Sequence, residues 1–207
     1  MNKLKTFIFI VNILMISSCN NKAAVIKNNN ISIENFNMSQ YSFSGKKIYT
    51  LKSPKTLINQ SKQLYSLTKT TIEFFENKKL KYIINSDSAK LINNKRITLS
   101  GNVLITDIDN DNTLINANEF YWDLNNEKFI LDGNVTLNNK YINLNSSKAY
   151  LDKNINIIEF SNPVKYIYKN NNQQQYKITS NNAFYNLNNK NIIFKSVNNK
   201  VKSIINF

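Results

Sequence analysis

The sequence predicts an all-β chain, a run of short strands stacked side by side into an elongated sheet, and three observations carry that expectation. From about Ile31 onward apolar residues recur at period two, not at the helical period of 3.6. The apolar set is rich in Ile, Phe and Tyr, which fit a pleated, half-buried surface. A pattern about thirty residues long repeats along the chain, too short for a four-stranded propeller blade and suited to units that bury their apolar faces against one another.

Residues 1–18 read as an export signal. Lys3 and Lys5 make a basic start, and Phe7 to Ile16 (FIFIVNILMI) an apolar stretch too short to span a bilayer. Ile16-Ser17-Ser18-Cys19 then resembles the lipobox of bacterial lipoproteins, in which cleavage before the cysteine exposes it for acylation. Cys19 is the only cysteine, so it is the expected lipidation site and no disulfide is available. Residues 19–30 read as the lipidated cysteine and a polar tether, and residues 31–207 as one β domain. A strand over Ile31 to Met38 opens that domain, and Ser44-Gly45 marks a turn before Tyr49, Leu51 and Ser53.

The chain has only three Gly and two Pro, so Asn must make most of the turns. Asn tolerates left-handed backbone, and its side chain bonds to its own main chain. Asn93-Asn94, Asn125-Asn126, Asn138-Asn139 and Asn188-Asn189 fall between alternating runs.

The repeat runs apolar, any, small, any, any, then Ala or a bulkier residue. Its copies are Ile84-x-Ser86-x-x-Ala89, Ile115-x-Ala117-x-x-Phe120, Leu144-x-Ser146-x-x-Ala149 and Ile178-x-Ser180-x-x-Ala183, with a weaker first copy at Leu51-x-Ser53-x-x-Thr56. The step of three inside each copy breaks strict alternation, so each copy is expected to hold a bulge where a strand passes from one wall of the fold to another. Gly101-Asn102 and Gly133-Asn134 are expected to mark a second bend.

Net charge is +14, or +12 once Lys3 and Lys5 are removed. The lysines are scattered, which fits either a compositional bias toward Asn, Ile and Lys or a basic surface suited to phosphorylated lipid. Nucleic-acid binding finds no basic helix, zinc-ligand set or ribonucleoprotein motif to support it. There is no His, so the usual triads and most zinc sites are absent, and no glycine-rich phosphate loop occurs. Asp107, Asp109 and Asp111 lack the turn Gly and closing Glu of a calcium loop, so they read as a solvated hairpin turn. No catalytic residue, metal or cofactor is expected.

The segment Tyr82 to Ile105, YIINSDSAKLINNKRITLSGNVLI, resembles the LptC family of lipopolysaccharide export proteins. An aromatic, alternating apolar residues, and then the spacing of Leu99, Gly101 and Val103 carry the likeness, which extends over about Ile31 to Val164. The resemblance implies a twisted, open β-jellyroll of stacked antiparallel strands, and a non-enzymatic role in lipopolysaccharide transport. It further implies receipt of lipopolysaccharide from an inner-membrane ABC exporter and transfer, by edge-strand addition, to an LptA-like bridge protein. The expected location is the periplasm, held by lipid at the inner membrane. Cys19 stands where many members carry an uncleaved transmembrane helix, which puts any role of that helix in doubt here.

Such a carrier needs an apolar lining. The alternation assigns to it Tyr49, Leu51, Leu67, Ile72, Phe74, Tyr82, Ile84, Ala89, Ile97, Leu99, Val103, Ile115, Phe120, Phe129, Leu131, Val135, Leu144 and Ala149. At each position plain core packing is the competing reading. A structural outer-membrane β-solenoid lipoprotein without lipid cargo is the competing function. Ile31 to Met38 and Asn191 to Val201 are the expected incoming and outgoing edges.

Overall fold

A computed structural model describes residues 30–108, 113–126, 128–152, 156–169, 175–196 and 201–206. The leader, Cys19 and the tether up to residue 29 lie outside these, as do Asp109 and Asp111. Among the described residues there are twelve strands and no helix: β1 (Asn30–Tyr41), β2 (Lys47–Asn59), β3 (Leu64–Glu76), β4 (Lys79–Ile92), β5 (Arg96–Asp107), β6 (Leu114–Asp123), β7 (Lys128–Asn138), β8 (Ile142–Asp152), β9 (Ile157–Lys169), β10 (Gln175–Asn186), β11 (Ile192–Lys195) and β12 (Lys202–Asn206). They form one antiparallel sheet in which β1 to β11 lie in sequence order. β12 lies in line with β11, since the two pair with successive stretches of β10 on the side away from β9. The sheet does not close on itself, which agrees with the open jellyroll expected. Each thirty-residue repeat is therefore one hairpin of a meander, not one coil of a helical solenoid.

Asn makes the turns in two ways. Asn93 and Asn94 take left-handed backbone, both with φ of 52°. Asn139 and Asn186 instead accept main-chain N–H bonds with their side chains, Asn139 from Tyr141 and Ile142 and Asn186 from Asn188 and Asn189. After β6 the acceptor is Asp123, which takes the N–H groups of Asn125 and Asn126. Those bonds hold the Asp123 carboxyl below its usual pKa.

The strand registers turn the repeat into cross-strand rungs. Leu51, Ile72, Ile84, Ile105, Ile115, Leu137, Leu144 and Tyr166 are successive partners along one inward rung. Thr56, Leu67, Ala89, Leu99, Phe120, Leu131, Ala149, Phe160 and Ala183 form another. Between them runs a line of small buried residues: Ser53, Thr70, Ser86, Val103, Ala117, Val135, Ser146, Val164 and Ser180. The apolar, small and Ala positions of the repeat are these three lines, read on the even-numbered strands.

At the middle line the ladder slips, with register shifts in six of the strand pairings from β4–β5 to β9–β10. Even and odd strands bend there by different means. On even strands Ser53, Ser86, Ser146 and Ser180 each donate a hydroxyl to the carbonyl two residues on, at 2.7–3.1 Å. This gives the backbone a local partner where the ladder lapses. On odd strands a residue adopts left-handed backbone: Asn35, Lys69, Asn102, Asn134 and Asn162. Gly101 and Gly133 precede two of these, also at positive φ. Gly101-Asn102 lies opposite Ser86-Asp87, with Asn102 Nδ2 donating to Asp87 Oδ2 at 2.8 Å. The second bend expected at the glycines is therefore the same bend, because the antiparallel register sets them across from the serine copies. A Cβ at Gly101 would lie 2.6 Å from Asp87 Oδ2.

This single fold line divides the sheet into two facing walls. The rings of Tyr49 on β2 and Trp122 on β6 are 4.9 Å apart. In a flat sheet four strand spacings would hold them about 19 Å apart.

Candidate functional site

The space between the walls is the one feature that draws together the residues assigned to a lining. Of the eighteen, sixteen are buried, and Tyr82 and Ile115 are partly buried against the same core. Leu51, Ile72, Leu99, Val135 and Leu144 have no exposure at all. Over most of its length, then, the interior is shut off from solvent.

An aromatic cluster does much of this closing. Phe74 and Tyr49 on the first wall meet Trp122 on the second, at 5.4 and 4.9 Å between ring centroids, and Phe129 stacks on Trp122 at 5.3 Å. Burial raises the Tyr49 phenol above its ordinary pKa, so the ring stays neutral.

Beside the cluster the contact lapses and leaves a cavity of about 400 Å³, within the size range of ligand pockets. Phe74, Tyr82, Ile84, Ile115, Phe120, Phe129 and Leu131 line it. The other eleven assigned residues do not reach it. Ile105, Leu137, Leu151, Ile158, Tyr185 and Leu187 do line it, though the sequence reading passed over them. Alternation alone could have found Ile105 and Leu137, which continue the runs through Val103 and Val135. Tyr185 and Leu187 fall beyond Val164, where the resemblance ended, and only the continuing repeat signals them.

The cavity rim is polar. Glu76, Lys81, Asp107 and Thr113 stand on the first wall, with Asn156, Asn188 and Lys190 on the second. Lys81 pairs with Asp107 at 3.7 Å, and the Asp107 side chain is only 9% exposed. Burial lowers the Lys190 ammonium below its ordinary pKa, while Asp107 opposes that shift. Burial and the charge of Asp107 both raise the Tyr185 phenol. The arrangement, a hydrocarbon pocket under a rim of mixed charge, fits an amphiphile whose apolar part enters and whose polar part stays in water.

Among the described residues no group of three or more potential metal-binding side chains is found. Asp107 belongs to the rim ion pair, and its sequence neighbours Asp109 and Asp111 lie outside the described residues.

The family model for LptC-related lipopolysaccharide-assembly proteins matches residues 6–149. The chain belongs to this family. No curated protein matches it. As an LptC-family member it is a periplasmic component of lipopolysaccharide transport, and its partners are lipopolysaccharide and the Lpt system. The match ends at Ala149 in β8, short of the Val164 expected, yet the hairpin repeat and its bulge serine continue through β10.

Proposed function

We propose that this LptC-family chain receives lipopolysaccharide from the inner-membrane ABC exporter between its two walls and passes it to an LptA-like bridge protein. The observation that supports this reading is the unbroken apolar strip across β2 to β10, opening at the cavity. Covering an acyl chain is worth about 0.8 kcal/mol per methylene. Equivalent rungs on successive strands let that chain move along without crossing a polar barrier. A lipid with several acyl chains needs more room than the cavity provides, so the walls part along the seam with the fold line as hinge.

The sheet ends suit a relay. β1 leaves one edge unpaired along twelve residues and is the incoming edge, while the short strands β11 and β12 form the outgoing one. Acylated Cys19 tethers the domain to the inner membrane in place of a transmembrane helix. Fatty-acid labelling that persists in a Cys19→Ser chain counts against the tether.

The lining is tested by a photo-crosslinking residue at Phe120, which faces the cavity, and another at its outward neighbour Tyr121. With an exporter hydrolysing ATP, the first captures lipopolysaccharide and the second does not. Equal capture from both, or none from either, leaves a structural β-solenoid without cargo as the reading.

A further inference from the structure

The β1–β2 turn carries an apolar group that the fold leaves unused. Phe43 at its tip is fully exposed and Tyr41 beside it is half-exposed. The turn is nonetheless tightly built. Ser42 N–H donates to the Lys46 carbonyl at 2.8 Å, Gly45 N–H to the Ser42 carbonyl at 2.9 Å, and Lys46 N–H to Ser42 Oγ at 3.1 Å. Gly45 supplies the positive φ of 72° that closes it. A fixed turn that holds a phenyl ring in water forgoes the gain of burying it, unless another surface covers the ring.

Cations surround the tip. Lys46 is exposed, and Lys47 reaches over the Phe75 ring at 5.1 Å. The register Tyr49↔Phe74 brings the next turn alongside, with Lys78 and Lys79 exposed; Glu76 stands beside them, and Asp107 farther along the same end is paired with Lys81. The turns at the opposite ends of the strands, Gln60–Gln63 and Asn93–Lys95, carry Lys62 and Lys95 but no aromatic residue. Aromatic rings with lysines around them match the headgroup layer of an anionic bilayer, where rings sit at the interface and each lysine is attracted by about 1 kcal/mol.

We propose that the β1–β2 tip dips into the surface of an anionic phospholipid bilayer and orients the domain on it, with Phe43 and Tyr41 as anchors and Lys46, Lys47, Lys78 and Lys79 as the electrostatic contact. This rests on the tethered reading of Cys19. Ten residues, 20–29, separate Cys19 from β1, a reach of at most about 35 Å. The tether joins β1 at Asn30, the end away from the tip, and its reach is comparable with the roughly 40 Å length of β1, so the tip can meet the surface while the β1 edge stays free.

The full-length chain, purified from membranes, is mixed with vesicles of phosphatidylcholine containing one quarter phosphatidylglycerol, with part of the lipid brominated to quench fluorescence. Phe43→Trp should shift to the blue and be quenched several-fold more than Tyr150→Trp, an outward control on β8; the native Trp122 is buried and gives a constant background. Omitting phosphatidylglycerol, or combining Lys46→Glu with Lys78→Glu, should weaken the quenching. Equal quenching at the two positions overturns the proposal. So does a shift that needs the exporter and shows no bromolipid quenching, which would make the tip a protein contact. Flotation reads the tether separately. A Cys19→Ser chain that floats like wild type removes the tether and leaves the quenching to decide the tip, whereas a wild-type chain that floats with Phe43→Trp unquenched removes only the tip. A wild-type chain that stays off the vesicles removes both.

Discussion

The aromatic cluster and the cavity lie side by side between the same two walls and share Phe74 and Phe129, yet one is closed and the other open. At the cluster the rings of Tyr49, Phe74, Trp122 and Phe129 are long enough to meet across the gap. At the cavity most of the apolar lining is aliphatic, with Ile84 and Ile115 on one wall and Leu151 and Ile158 on the other. Ring-to-ring contact thus marks the region that stabilises the fold, and a largely aliphatic lining marks the one that can take a guest. Most of the assigned lining, Leu99 and Val135 among it, belongs to the closed kind in the structure as it stands.

The largest expected effect comes from opening the closed region. Trp122→Ala removes the ring that touches Tyr49 and Phe74 across the gap and should cost about 3–5 kcal/mol. Urea denaturation checks it, and a loss below about 1 kcal/mol would mean that the cluster does not hold the walls together.

A charge placed in each region sharpens the contrast. Leu99 has no exposure, so Leu99→Arg buries an unpaired guanidinium and should cost several kcal/mol or unfold the chain. Ile115 lines the cavity and is partly exposed, so the head of Ile115→Arg can reach the rim and the protein should fold while losing lipopolysaccharide capture. Circular dichroism with the crosslinking assay separates the two outcomes. Equal stability in the two variants would mean that the closed region opens as readily as the cavity.

The smallest effect concerns the hinge that both regions share. Lys69 holds left-handed backbone at φ 46°, at the place where β1, β5, β7 and β9 use Asn. Because left-handed backbone costs most residues about 1–2 kcal/mol and Asn less, Lys69→Asn should raise stability by up to about 1 kcal/mol. A decrease would show that the exposed Lys69 side chain holds the fold line in some other way.

Much of this was legible before any coordinates. Alternation named the inward residues because the strand period is local, and nearly all of those named are buried. The step of three between Ser86 and Ala89 announced the bulge because two successive outward residues cannot occur in a regular strand. The glycines were misplaced for a reason of range. Gly101 and Ser86 share one bend only through the β4–β5 register, and no local pattern states which residues face each other across a hairpin.

The sequence by itself determined the all-β class, the thirty-residue repeat, the Asn-built turns and the family. Each rests on residues a few positions apart, where backbone preference and side-chain period act directly. Only the tertiary structure decided that the repeats share one fold line, that Tyr49 meets Trp122, and that one cavity is lined by both Ile84 and Ile158. The last two facts join residues more than seventy positions apart. Whether their side chains touch depends on the summed twist and bend of every strand between them, to which no single segment of the chain holds the key.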